Sequence, residues 1–374
     1  MEWQVSLADL DYGIDEEMAV LGVLRSKWLT MGAVTQQFEA EFAKATGAQY
    51  AFAVSNATEA LHLACLALGI GPGDEVIAPS LSFVATTNAV LYTGGTVRFA
   101  DIIGPNELTI DPNEIERLIT PHTRAIIVMH YGGYACQMDA ILDIAARNNL
   151  EVIEDTAHAP GAFLNGKALG TFGAAGCFSF FSNKNLSTGE GGMVTTNRED
   201  IAKKVRLQRS HGMTTLTYDR HHGHAHSYDV VDLGYNYRID EIRSALGLVQ
   251  LKKLPANNAL RERFTLQYRQ ALKELGVGLP FENTRGQAAY HIFPMLLPEG
   301  TNRDQFIERM REQGIQTSIH YSPIHTFSYY RNRFGDLSLP RTEEVGRREV
   351  TLPLYPTMGE EKVAQVVAAI RQSL

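Results

Sequence analysis

Phe178-Ser-Phe-Phe-Ser-Asn-Lys184-Asn185, running into Gly189-Glu-Gly-Gly192, decides the reading of this chain. Its apolar start has strand character and its end is a glycine-rich turn, with a lysine between them. That order places the Lys184 amine at the mouth of a sheet. Upstream, Leu150-Glu-Val-Ile-Glu-Asp155-Thr-Ala-His158 ends a second apolar run on a carboxylate.

Working outward, short β-rich runs alternate with amphipathic stretches from about residue 49 to residue 197. The runs are 50–55, 75–79, 96–102, 125–131, 151–155, 176–181 and 192–196. Helical patterns at 58–68, 83–91 and 138–148 fall between them. Strands alternating with helices imply an α/β fold whose largely parallel sheet is covered on both faces. Ligands of such sheets bind at the carboxyl ends of strands, where Ser55, Asp155 and Ser182 fall. Two long helical stretches follow, 239–254 and 258–275, with a break expected near Pro255. A strand at 290–297, a helix at 303–313, a strand at 316–321 and a last helix at 360–373 then read as a smaller α+β unit. The expected division is a large domain over 1–250 and a small C-terminal domain over 251–374.

With 374 residues the chain exceeds one compact core, which agrees with two domains. Its composition, 44% hydrophobic and 20% charged, is that of a water-soluble globular protein. A net charge of −8 without a long basic block argues against a nucleic-acid partner, whose phosphates require concentrated positive charge. Cys65, Cys136 and Cys177 are odd in number, show no CxxC spacing and sit in apolar settings. Buried free thiols in a reducing compartment are expected. The sequence opens without a charged, then apolar, leader pattern and has no apolar run of spanning length, so a cytoplasmic protein off the membrane is expected.

Ser55-Asn56-Ala57-Thr58 joins a strand to a helix, and free amides at a helix start form a natural phosphate site. Capping of that helix by Ser55 or Asn56 explains the same residues without a ligand. A lysine that forms a Schiff base, facing an aspartate that keeps a pyridine nitrogen protonated, is how proteins use pyridoxal phosphate. Each residue alone has a plainer reading. Lys184 reads as a solvated surface residue, Asp155 as a turn cap, His158 as a polar residue of a βα loop, and Phe83 as core.

Taken in order, these segments make the chain resemble the DegT/StrS-type sugar aminotransferases, a fold type I pyridoxal-phosphate family acting mostly on nucleotide-linked keto-sugars. The likeness runs from Lys27-Trp-Leu-Thr30-Met-Gly32 to Leu352-Pro-Leu-Tyr-Pro356. Between them come Gly71-Pro-Gly-Asp-Glu-Val-Ile, Pro79-Ser-Leu-Ser-Phe83, Glu154-Asp155-Thr-Ala-His158, Ser179 to Lys184, Gly189-Glu-Gly-Gly192 and Gly234-Tyr-Asn236-Tyr-Arg238. The resemblance implies roles for these positions. Lys184 would be the Schiff-base lysine and proton shuttle, and Asp155 the partner of the pyridinium nitrogen. His158 would bond the phenolic oxygen, a role many relatives give to Gln, and Phe83 would stack on the ring. Ala57 and Thr58 amides, with Ser179, would hold the phosphate, although many relatives carry Gly at position 57. Asn236 would reach the phosphate of a neighbouring subunit, implying a homodimer with shared active sites. A lysine rather than a histidine at 184 separates the chain from the sugar dehydratases of the same family.

The reaction so implied moves an amino group from an amino acid, with glutamate the expected donor, to a nucleotide-linked keto-sugar in a ping-pong cycle. Thr30, His320, Tyr321 and His325 match segments that line the sugar site in relatives, though plain packing explains them equally; Arg238 is an expected anion partner, or else a support of the Asn236 loop. The histidines between His211 and Asp229 (His221, His222, His224, His226) lack Cys partners and fixed helical spacing, so no metal site is expected. The expected setting is a long active-site or dimer-interface loop. A keto-cyclitol aminotransferase and a non-catalytic pyridoxal-phosphate-binding regulatory protein are the alternatives. A dinucleotide-dependent oxidoreductase is disfavoured, because the first strand is not followed by GxGxxG.

Overall fold

The computed structural model describes residues 3–215 and 227–374. His221, His222, His224 and His226 of the expected loop lie outside the described residues. Seven strands form the central sheet: β1 (Tyr50–Val54), β2 (Glu75–Pro79), β3 (Thr96–Ala100), β4 (Thr123–Met129), β5 (Glu151–Asp155), β6 (Ala175–Ser179) and β7 (Gly192–Thr196). Their order is β1-β7-β6-β5-β4-β2-β3, and β7 alone runs opposite to the other six. The expected α/β class, a mostly parallel mixed sheet under helices, is what forms.

Continuous apolar runs build this sheet because both of its faces are buried. Along β4, Ala125 and Ile127 pack with the helix Ala57–Ala67 on one side, while Ile126 and Val128 pack with the helix Met138–Arg147 on the other. In the stretch that decides the fold, Phe178 and Phe180 are fully buried against Phe42 and Phe38, with centroids 4.9 and 5.4 Å apart. Burying a ring of that size stabilises the fold by roughly 1.5–3 kcal/mol. Alternation turns Ser179, which ends β6 at the carboxyl edge of the sheet, to the face opposite Phe178.

One expectation fails at Pro255. The helix Glu241–Leu272 runs through it without a break. Proline leaves one carbonyl of the preceding turn without its amide partner. Here Pro255 itself is exposed, while Leu254, Asn257, Asn258 and Arg261 hold the inner face.

Beyond the helix, β8 (Phe293–Leu296) and β9 (Glu349–Leu352) form an antiparallel pair packed on Phe264 and Tyr268 of the long helix. The strand expected at 316–321 is reduced to one bridge, Ser318 with Thr351 of β9, and β9 itself was not anticipated. Val5 pairs with Ile315, so the start of the chain returns to this region. All three cysteines are buried and free. No helix among the described residues is long and apolar enough to cross a membrane.

Candidate active site

The carboxyl ends of β1, β5 and β6 open on a cavity of about 940 Å³. Of the residues singled out from sequence, Ala57, Thr58, Phe83, Asp155, His158, Ser179, Lys184, His320 and Tyr321 line it. Thr30, Asn236, Arg238 and His325 are not among its lining residues.

Strand alternation separates the adjacent acids Glu154 and Asp155. Glu154 points into the protein and accepts the Gly170, Phe172 and Gly173 amides at 2.7 Å each, with His130 Nε2 at 3.1 Å. Asp155 turns to the cavity. The Thr86 hydroxyl donates to its Oδ2 at 2.7 Å and the Ala157 amide to its Oδ1 at 3.1 Å. Burial pushes the Asp155 carboxyl above its ordinary range, and these two donors together with the Lys184 charge act against that shift.

Lys184 sits in the turn after Phe181, whose carbonyl its amide bonds at 2.9 Å. Burial lowers its amine to about 8, opposed by the charge of Asp155. A substantial neutral fraction at physiological pH is what a nucleophile requires. Its Nζ is 3.3 Å from His291 Nε2, a contact that sequence reasoning missed. His291 and the Asn185 and Asn258 amides behind it carry no local motif, and only the fold brings them together.

Asn56 caps the helix Ala57–Ala67, its side chain accepting the Glu59 amide at 3.0 Å. Capping leaves these amides free, because the Ala57 and Thr58 amides at the head of the helix have no intrahelical partner and line the cavity. The glycine-rich turn serves this corner. A Cβ at Gly192 would stand 2.6 Å from the Asn56 carbonyl carbon and 2.9 Å from the Ala57 nitrogen, so only glycine lets β7 pass so close.

His158 has both ring nitrogens engaged. Nδ1 accepts the Gly132 amide at 3.2 Å, so in the neutral ring Nε2 carries the proton, facing the Tyr321 hydroxyl at 2.8 Å. Burial and Lys184 hold this imidazole well below the ordinary histidine range. Phe83, 55% exposed on the cavity wall, lies 6.0 Å from the Tyr321 ring, an open aromatic face rather than core.

The remaining expected residues sit elsewhere in the chain. His325 is buried with Nδ1 2.7 Å from Ser80 Oγ, and borders a separate depression shared with Arg303 and Arg331. Arg238 donates to Ser210 Oγ at 3.1 Å. Asn236 bridges Ser210, and Thr30 bridges Asp240, through the main chain.

The residues fit pyridoxal phosphate. A buried amine of lowered basicity faces an acid, two free helix-start amides and a serine hydroxyl can hold a phosphate, and an open aromatic face can cover a ring.

Comparison with known proteins agrees with this chemistry. A sequence model of the DegT/DnrJ/EryC1/StrS aminotransferase family matches residues 11–371. The spore coat polysaccharide biosynthesis protein SpsC of Bacillus subtilis (strain 168) is 40% identical over 367 residues, 96% of this chain and 94% of SpsC. Among solved structures, Helicobacter pylori PseC, an aminotransferase involved in the biosynthesis of pseudoaminic acid, superposes with a TM-score of 0.92 at 31% identity, covering 100% of this chain and 99% of PseC. Spr1654 of Streptococcus pneumoniae in its PLP form superposes with a TM-score of 0.91 at 25% identity, covering 100% of both chains.

Proposed function

This chain belongs to the DegT/DnrJ/EryC1/StrS aminotransferase family, and we propose that it moves an amino group from glutamate to the keto group of a nucleotide-linked sugar, with pyridoxal phosphate in the cavity described. The observation that carries this reading is the pairing, in one cavity, of the Lys184 amine and the Asp155 carboxylate beside the free Ala57 and Thr58 amides. Bound there, pyridoxal phosphate supplies a carbonyl that condenses with amines and a ring that accepts electron density.

The chain's own groups divide the work. The Ala57 and Thr58 amides and Ser179 would hold the phosphate, and Asp155 would hold a proton on the ring nitrogen. Its two donors, Thr86 and Ala157, fix the carboxylate in place without neutralising it. Lys184 would anchor the cofactor, and its free amine would take and return the substrate proton in both halves of a ping-pong cycle. Its lowered basicity suits both directions. His158 offers the Nε2 proton to the phenolic oxygen once Tyr321 yields it.

A cavity of about 940 Å³ lies at the top of the range of about 300–1,000 Å³ usual for ligand sites, which leaves room for a substrate beside the cofactor. The relatives support a sugar acceptor, since SpsC is named for polysaccharide biosynthesis and PseC for pseudoaminic acid. We place Asn236 in the active site of a second copy. It is exposed and follows closely on Val230, Val231 and Leu233, residues 57%, 55% and 77% exposed, an apolar stretch suited to burial against another subunit.

The test loads the enzyme with pyridoxamine phosphate and offers a panel of nucleotide-linked 3-keto and 4-keto sugars, with mass spectrometry of the product. Amination of one panel member is expected. Amination of a free keto-cyclitol alone would overturn the nucleotide-sugar assignment, and no amination of any ketone would overturn the transfer itself.

A further inference from the structure

His320 lines the cavity, but its protonation pattern is set from outside it. Glu349 and Thr351 are two residues apart on β9 and therefore share one face of the strand. Main-chain bonds between Ser318 and Thr351, at 2.8 and 3.2 Å, hold the 318–321 segment alongside. The Glu349 carboxyl, fully buried, accepts the His320 amide on Oε2 at 2.8 Å and meets the Thr351 hydroxyl on Oε1 at 2.5 Å. The same hydroxyl lies 2.8 Å from His320 Nδ1. With Nδ1 tied to the strand, Nε2 is the ring nitrogen left for a ligand.

A threonine hydroxyl has one proton to give. While Glu349 is a carboxylate it can only accept, so Thr351 donates to it and accepts from His320 Nδ1–H. Nε2 then carries a lone pair. When Glu349 is protonated, Oε2 is occupied by the backbone amide and the proton sits on Oε1, facing Thr351. The threonine proton turns to His320 Nδ1, and the ring proton moves to Nε2. We propose that Glu349, acting through Thr351 as a positioning pair, decides which nitrogen of His320 is protonated, and so whether the cavity offers a hydrogen-bond acceptor or a donor at Nε2.

The acceptor form suits a ligand hydroxyl or ammonium, and the donor form a carboxylate or keto oxygen. The two half-reactions proposed above present these groups in turn, and only this choice of ligand rests on that reading. Burial lifts the Glu349 carboxyl to about 8, against the Thr351 hydroxyl, the His320 amide and the Arg303 charge. Burial and Lys184 lower the His320 ring to about 4, so it stays neutral throughout. The ionisable groups facing Glu349 are Arg303 from the helix Arg303–Glu312, Tyr131 from the 131–133 turn, and His320 and Tyr321 from the neighbouring segment. The exchange therefore falls near pH 8, with the donor form below and the acceptor form above.

The test is nitrogen NMR of the holoenzyme labelled with ¹⁵N-histidine, with the His320 signals assigned by their loss in His320→Asn. Nε2 should pass from pyrrole-like to pyridine-like as pH rises through about 8. In Glu349→Gln the side-chain amide donates to Thr351 at every pH, so Nε2 should stay pyrrole-like. Thr351→Ser should keep the transition and Thr351→Val should lose it, and this pair serves if Glu349→Gln does not fold. A transition that survives in both Glu349→Gln and Thr351→Val, or one missing from the wild type, would overturn the relay. Loss of sugar amination with these signals unchanged would count against the proposed reaction and leave the relay standing.

Discussion

Lys184 Nζ and His291 Nε2 stand 3.3 Å apart, and the direction of that hydrogen bond is fixed from the far side of the imidazole. Asn185 Nδ2 donates to the Ala289 carbonyl at 2.7 Å, and a carbonyl can only accept, so Asn185 Oδ1 faces His291 Nδ1 at 2.9 Å. His291 therefore carries its proton on Nδ1 and a lone pair on Nε2, and Lys184 is the donor. The amine's own lone pair is left for the cavity. His291 holds the Lys184 amine without competing for its electrons.

Replacing His291 by Phe removes that acceptor while filling much of the space. The expected result is a fall in kcat on the order of 10²-fold, the scale of a small misplacement of a reacting group, with KM for the amino donor little changed. Steady-state kinetics on the cofactor-saturated variant decide it. An unaltered kcat would reduce His291 to packing.

Asp155→Asn keeps the shape of the side chain and removes its charge. The cofactor should stay bound, since the helix-start amides and Ser179 are untouched. Turnover should drop by about 10²–10³-fold, the scale of one lost preorganised electrostatic contact. Near-normal turnover would remove Asp155 from the ring nitrogen.

The Lys184 amine of the cofactor-free enzyme should be captured by pyridoxal phosphate at a rate that follows its neutral fraction. Burial lowers its basicity, so that rate should climb through about pH 8 and level off above it. A solvated lysine would still be gaining rate near pH 10. Stopped-flow measurement of cofactor attachment against pH separates the two.

If Asn236 serves a second copy of the chain, Lys184→Ala and Asn236→Ala are defective in complementary ways. Mixing and re-annealing the two inactive proteins creates hybrid dimers with one intact site, recovering up to about a quarter of wild-type activity. No recovery, with mixed dimers confirmed by native mass spectrometry, would place Asn236 in its own subunit's site.

Legibility from sequence followed locality. β2, β5 and β7 form within the bounds read from apolar runs, because each is a short buried strand between turn signals. The place of Lys184, Asp155 and the 55–58 turn on the cavity was legible, because Asp155 ends β5 while the turn and Lys184 follow β1 and β6 within a few residues. His291, Thr86 and the Glu349–Thr351 pair were not, since their meaning comes from partners far away in the chain: Thr86 lies 69 residues from Asp155 and His291 lies 107 from Lys184. The break expected at Pro255 failed for a related reason. Packing of Asn257, Asn258 and Arg261 on the inner face outweighs one lost amide bond.

Whether one buried amine carries the cofactor is read out by borohydride reduction of enzyme reconstituted with pyridoxal phosphate, followed by peptide mass mapping. A pyridoxyl group should appear on the peptide containing Lys184 and be lost in Lys184→Ala. Label on another lysine, or none on a protein that has taken up the cofactor, would contradict that role.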